Sequence, residues 1–206
     1  MTRQSSRRRP HPLDGLAALL VAGLVLVGCA PAAPAPGADA APTVVDASEI
    51  LSDFGLAGLD AAAVIERLDT MPVAERNSEL IASVRPDAVI LTAGERQASL
   101  PLTGDEVYIS VAPYLTQTHE CYFHSLTTCL GELQNATLQL TLTDNASGEV
   151  LINEQRETFD NGFVGFWVPR GIEATLTMEI DGRTSSGVIS TLNADDPTCI
   201  TTQQLA

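Results

Sequence analysis

Between Thr118 and Gly131 the chain reads THECYFHSLTTCLG, placing two cysteines and two histidines within fourteen residues. Downstream of Cys29 the only other cysteine is Cys199 and there is no other histidine; the third histidine, His11, lies ahead of Cys29. The soft donors are therefore concentrated at His119, Cys121, His124 and Cys129. Thiolates suit Cu(I) and zinc, and imidazole suits copper and zinc, whereas the carboxylates abundant elsewhere suit harder ions. The chemistry these residue types could support is soft-metal binding. Their spacing is not that of the paired C-x-x-C zinc motifs, which removes most of the weight from a zinc ribbon. If the segment around Thr118–Tyr122 is extended, His119 and Cys121 share one face, and His124 and Cys129 must return through a loop. A second reading stays open. Cys121 and Cys129 could instead close a disulfide across a short loop, stabilising an exported domain by ~2–3 kcal/mol without metal.

The start of the chain bears on that choice. Arg3, Arg7, Arg8 and Arg9 form a basic segment ahead of an uncharged run from Leu16 to Val27, twelve residues long. A bilayer span needs ~20 apolar residues, so this run reads as a signal peptide. It ends in Leu26-Val27-Gly28-Cys29, which resembles a bacterial lipobox and makes Cys29 the expected lipid-attachment residue. At ~0.8 kcal/mol per buried methylene, two acyl chains would anchor the chain to the outer face of a cell membrane. Residues 30–42 are almost entirely Ala, Pro and Gly and read as a tether. With Cys29 committed to lipid, three cysteines remain, an odd number. One thiol must then stay free, bridge to another molecule or be held by metal, and a three-thiolate Cu(I) site would use all of them.

Charge excludes one class of partner. The chain contains 11 Arg and no Lys against 26 acidic residues; loss of residues 1–28 removes four Arg and one Asp, leaving 7 against 25 and a net charge of −18. Nucleic acid is effectively excluded. The sequence also lacks a Ser/His/Asp nucleophile arrangement, a Gly-rich phosphate loop and a local pair of carboxylates suited to acid–base work, so no catalytic residue is assigned.

The elements that must position the donors fall into two halves. Asp46 and Asp60 can cap helices over residues 47–54 and from 61 onward, and Pro72 can start a third helix burying Val73, Leu80, Ile81 and Val84 before Pro86. These helices read as core, without a polar cluster. Strands are expected at 88–92, 97–102 and 107–111. Beyond the cysteine stretch, Leu138, Leu140 and Leu142 alternate with polar residues, as do Ala174, Leu176, Met178 and Ile180, with turns at 144–148, 160–162 and 181–182. Phe159, Phe163, Phe166 and Trp167 are expected in the core of the resulting sandwich. The fold class is α+β: a small N-terminal helical/β domain followed by an antiparallel β-sandwich domain. The expected domain boundaries are a signal peptide at 1–28, the lipidated cysteine and tether at 29–43, the N-terminal helical domain with short strands at 44–112 and the C-terminal β-sandwich domain with the candidate metal donors at 113–206.

Several stretches carry a more specific likeness: VAPYLTQTHEC from Val111 to Cys121, YFHSLTTC to Cys129 with GELQN to Asn135, TFDNGF from Thr158 to Phe163 with Trp167 and Pro169-Arg170, ISTL from Ile189, and DDPTC to Cys199. Over about residues 105–202 the chain resembles the CueP family of bacterial envelope copper-binding proteins. The resemblance implies a two-domain protein that binds copper through three cysteines, here Cys121, Cys129 and Cys199. His119 and His124 enter as candidate ligands or supporting groups. It also implies a role in copper resistance, holding Cu(I) and delivering it to envelope cuproenzymes such as a Cu,Zn superoxide dismutase; zinc, which thiolate and imidazole also suit, is the candidate competitor by donor type. The lipobox departs from soluble periplasmic members. Thiol-dependent reduction of Cu(II) is an enzymatic alternative, a disulfide-stapled envelope protein without metal is a structural one, and a homodimer is left open.

Overall fold

The computed structural model describes residues 41–206, which lie within one compact unit. The signal peptide, the lipobox cysteine and most of the tether lie outside the described residues. Among the described residues, no helix is long and apolar enough to cross a membrane.

The first half is a helix pair on a four-stranded sheet. Helix α1 spans Ala47–Asp53 and starts where the Asp46 carboxylate accepts from the Ser48 amide; α2 spans Ala61–Asp69 and starts where Asp60 accepts from Ala63. Both are short and rely on their buried faces, because isolated helices of this length are marginal in water. Strands β1 (Thr43–Val44), β2 (Leu80–Val84), β3 (Ala88–Ala93) and β4 (Arg96–Pro101) assemble in the order β1-β4-β3-β2. The third helix expected from Pro72 is not formed. Only a single 3-10 turn, Val73–Glu75, follows the proline, and Leu80–Val84 is an extended strand. The reason is visible in its burial: Leu80, Ala82 and Val84 point inward, a period of two that the β2–β3 pairing rewards.

The second half is a sandwich. Strand β5 (Glu106–Val111) pairs antiparallel with β8 (Val164–Pro169) and parallel with β11 (Cys199–Ile200), forming a three-stranded sheet. The facing sheet contains β6 (Thr137–Asp144), β7 (Val150–Glu157), β9 (Glu173–Ile180) and β10 (Arg183–Ser190) in the order β10-β9-β6-β7. Leu138, Leu140, Leu142, Leu176 and Met178 from one sheet meet Val107, Ile109, Phe166 and Val168 from the other in one core. This is the α+β arrangement with a sandwich that the alternating pattern announces. Phe166 lies in that core and Phe163 is fully buried beside the cysteines, whereas Trp167 turns to the helical half and Phe159 is half-buried.

Three connections bring remote segments to one place. The loop after β5 runs along the free edge of β2, where the Val84 amide donates to the His124 carbonyl and the Leu126 amide to the Ala82 carbonyl. Gly131 and Gly162 approach so closely that a Cβ on Gly131 would stand 2.6 Å from the Gly162 carbonyl oxygen. The C-terminal segment returns to β5 as β11 and delivers Cys199.

Candidate metal centre

His124 is the structural pivot of the site. Its amide donates to the Thr198 hydroxyl (3.1 Å), which itself donates to the Val84 carbonyl (2.7 Å), so one buried threonine ties β2, the cysteine loop and the C-terminal segment together. The His124 ring is completely buried, with Nε2 2.9 Å from Asp69 Oδ1 and Nδ1 3.9 Å from Cys199 Sγ. Asp69, at the end of α2 and equally buried, also accepts from the Tyr108 hydroxyl (2.7 Å) and the Asn161 amide (2.8 Å). A buried carboxylate of this kind persists only because its lone pairs are satisfied.

Cys129 sits at the end of a single helical turn, its amide donating to the Ser125 carbonyl, while the Ser125 amide points back at Cys129 Sγ (3.4 Å). Its sulfur is 3.5 Å from Cys121 Sγ. Cys121, Cys129 and Cys199 are all unbridged, so the staple between Cys121 and Cys129 is not formed. The Arg76 guanidinium donates to the Cys129 carbonyl at 2.8 Å, bringing a cation to the rim of the cluster.

These contacts set the protonation states. Donation from the Cys121 and Cys199 thiols, joined by the hydrogen bond and charge of His124, outweighs burial and pulls Cys129 far below the ordinary thiol range. The same sharing holds the other two protonated: donation to Cys129 pushes Cys121 up to about 12, and Cys199, donating to both neighbours and buried, is raised further. Burial by itself would depress His124, but the Asp69 charge and hydrogen bond, with Cys129, raise it to about 9. Burial likewise opposes ionisation of Asp69, yet His124, Tyr108 and Asn161 hold it below the usual carboxylate value. The centre is thus a thiolate–imidazolium–carboxylate array flanked by two thiols.

Two donor sets have ligand atoms within 4.8 Å of one another: His119, Cys121 and Cys129, and His124, Cys129 and Cys199. All five residues singled out in the sequence therefore gather in one place, with Cys129 common to both sets. His119 is exposed and Cys121 half-buried, while the second set is buried throughout. Sequence reasoning missed Asp69, Tyr108, Asn161 and Thr198. For Asp69 a signal existed: it lies on the helix face made by Ala61, Val64, Ile65 and Leu68, where a carboxylate on an apolar stripe calls for a partner.

The family model for the periplasmic copper-binding protein CueP matches residues 63–204. The chain belongs to the CueP family. That match includes both halves of the donor cluster and the C-terminal segment bearing Cys199. The crystal structure of S.CueP is similar to this chain at 36% sequence identity and a TM-score of 0.72, covering 77% of this chain and 96% of that one. No curated protein matches. Membership of a family of periplasmic copper-binding proteins agrees with a cysteine and histidine cluster able to hold a metal ion.

Proposed function

We propose that this chain is a lipid-anchored envelope protein that binds Cu(I) through the thiolates of Cys121, Cys129 and Cys199, sequesters it and delivers it to an envelope cuproenzyme. The observation that carries this reading is the position of Cys129: its sulfur lies 3.5 Å from Cys121 Sγ and within 4.8 Å of Cys199 Sγ, among contacts that favour the thiolate. Soft thiolates in a largely buried pocket suit Cu(I). Asp69 and His124 hold the cluster in place, the imidazolium offsetting thiolate charge before the ion arrives. Anchoring rests on Cys29 and its lipobox, delivery and copper resistance rest on the family, and zinc competition rests on the donor types, which suit zinc as well as copper. Replacing each cysteine in turn by serine tests the ligand set. Each variant is expected to lose Cu(I) affinity against a competing chelator, Cys129→Ser most; three variants that load like the parent would refute it.

One observation favours a second reading. Cys121 and Cys129 stand with their sulfurs 3.5 Å apart, so thiol and thiolate could close to a disulfide while each of two Cu(II) ions takes one electron, releasing the Cys121 proton and two Cu(I). Loss of two thiols in step with the appearance of Cu(I) would establish that chemistry; Cu(II) left unreduced by the fully reduced chain would dismiss it.

A further inference from the structure

The two donor sets differ in access in a way that a single storage site does not need. His119 is exposed beside a cavity of about 200 Å³ that it shares with Thr118, Leu130 and Glu132. Its loop is held in place: the Glu132 carboxylate accepts from the Leu115 and Thr116 amides, and the Thr118 hydroxyl donates to the Thr201 carbonyl. Cys199 and His124 are buried at 2% and 0% exposure. The fully buried Phe163 ring packs against both imidazoles, with centroids 6.2 Å from His119 and 4.6 Å from His124, so both histidines rest on one rigid wall.

We propose that His119 is the entry and exit ligand of the copper site. Cu(I) first binds His119, Cys121 and Cys129 at the exposed edge, the Cys121 proton leaving to solvent, then exchanges His119 for Cys199 without leaving Cys121 and Cys129. This rests on the assignment of the cysteines as copper ligands and adds the route. In the inward step the bond from copper to the His119 nitrogen breaks and the bond to the Cys199 sulfur forms. The Cys199 proton passes to solvent base, and copper remains Cu(I). The outward step is the reverse, opening one coordination position at the cavity, where a thiol or thioether of an incoming donor or acceptor can take hold. An ion that keeps two sulfur bonds throughout crosses a lower barrier than one released into water.

The test uses the reduced full chain with Cu(I) supplied as its acetonitrile complex and bicinchoninate as the competing chelator. His119→Ala is expected to slow both loading and chelator-driven release by about tenfold, the effect of about 1.4 kcal/mol on the barrier, with their ratio changing less than either rate. In Cys199→Ser, copper is expected to stop at the outer set, and X-ray absorption should register a histidine nitrogen beside two sulfurs. That nitrogen should vanish when His119→Ala is added. Rates in His119→Ala equal to those of the parent, or no nitrogen in Cys199→Ser, would overturn the route. Failure of the underlying ligand assignment looks different: Cys129→Ser would then bind Cu(I) as tightly as the parent whatever the rates.

Discussion

Replacing Asp69 by asparagine removes one charge and little volume from the most buried part of the site. His124 stands at about 9 rather than 6.5 because Asp69, with a smaller part from Cys129, overcomes the penalty of burial. At ~1.4 kcal/mol per pKa unit, this amounts to about 3 kcal/mol favouring the folded state with a charged imidazole. Because the folded pKa is raised, this contribution is fully present below 6.5 and is lost as pH rises through about 9. Urea unfolding of the reduced, copper-free parent and Asp69→Asn, run side by side from about pH 6 to about pH 10, isolates it. The parent is expected to lead by about 3 kcal/mol or more at the acid end, since breaking a buried pair is costly. The lead should shrink at the alkaline end to what Tyr108 and Asn161 lose as hydrogen-bond donors to the carboxylate. In parallel, the His124 ring resonance should titrate near 9 in the parent and well below that in the variant. A stability difference that does not change with pH, or a parent His124 that titrates near its ordinary value, would refute the reasoning.

Three further outcomes follow from the same geometry. Loading at neutral pH should release about two protons rather than three, because Cys129 already lacks its own while Cys121 and Cys199 keep theirs; affinity should therefore fall as pH falls, as simultaneous chelator competition and pH-stat titration would measure. Thr198→Val removes the hydroxyl that the His124 amide and the Val84 carbonyl both use, and should cost about 2–3 kcal/mol of stability by denaturant unfolding. In Gly165→Ala the new Cβ would fall 1.7 Å from the Tyr108 hydroxyl, so the ring must leave Asp69; thermal unfolding should register a loss of about 1–3 kcal/mol, and the His124 resonance should shift.

Much of this was legible in the sequence, and what was not has physical reasons. Alternation in Leu138–Leu142 and Ala174–Ile180 announced the sandwich because each strand buries one face, and Asp46 and Asp60 marked the helix starts by their capping chemistry. A three-thiolate site needs the C-terminal segment to come back toward the cysteine stretch, and the pairing of β11 beside β5 that carries Cys199 there has no local signature. Leu80–Val84 misled because Val73, Leu80, Ile81 and Val84 also fit a helical face, and the pairing with β3 that decides the matter is not a local property. Asp69 stood out only by its place on the apolar face of α2; its partners Tyr108, His124 and Asn161 stand 39, 55 and 92 residues away, distances at which no spacing rule operates. The protonation pattern of the three thiols was equally hidden, since it arises from sulfur and imidazole contacts that only the folded chain creates.

The central claim, that three thiolates meeting at Cys129 hold one Cu(I), is tested most directly by titrating the reduced chain with Cu(I) against bicinchoninate while counting reactive thiols before and after loading. The account expects one tightly held ion per chain and protection of Cys121, Cys129 and Cys199 together. A chain that binds Cu(I) tightly while leaving Cys199 as reactive as before, or that cannot compete with the chelator once fully reduced, would contradict it.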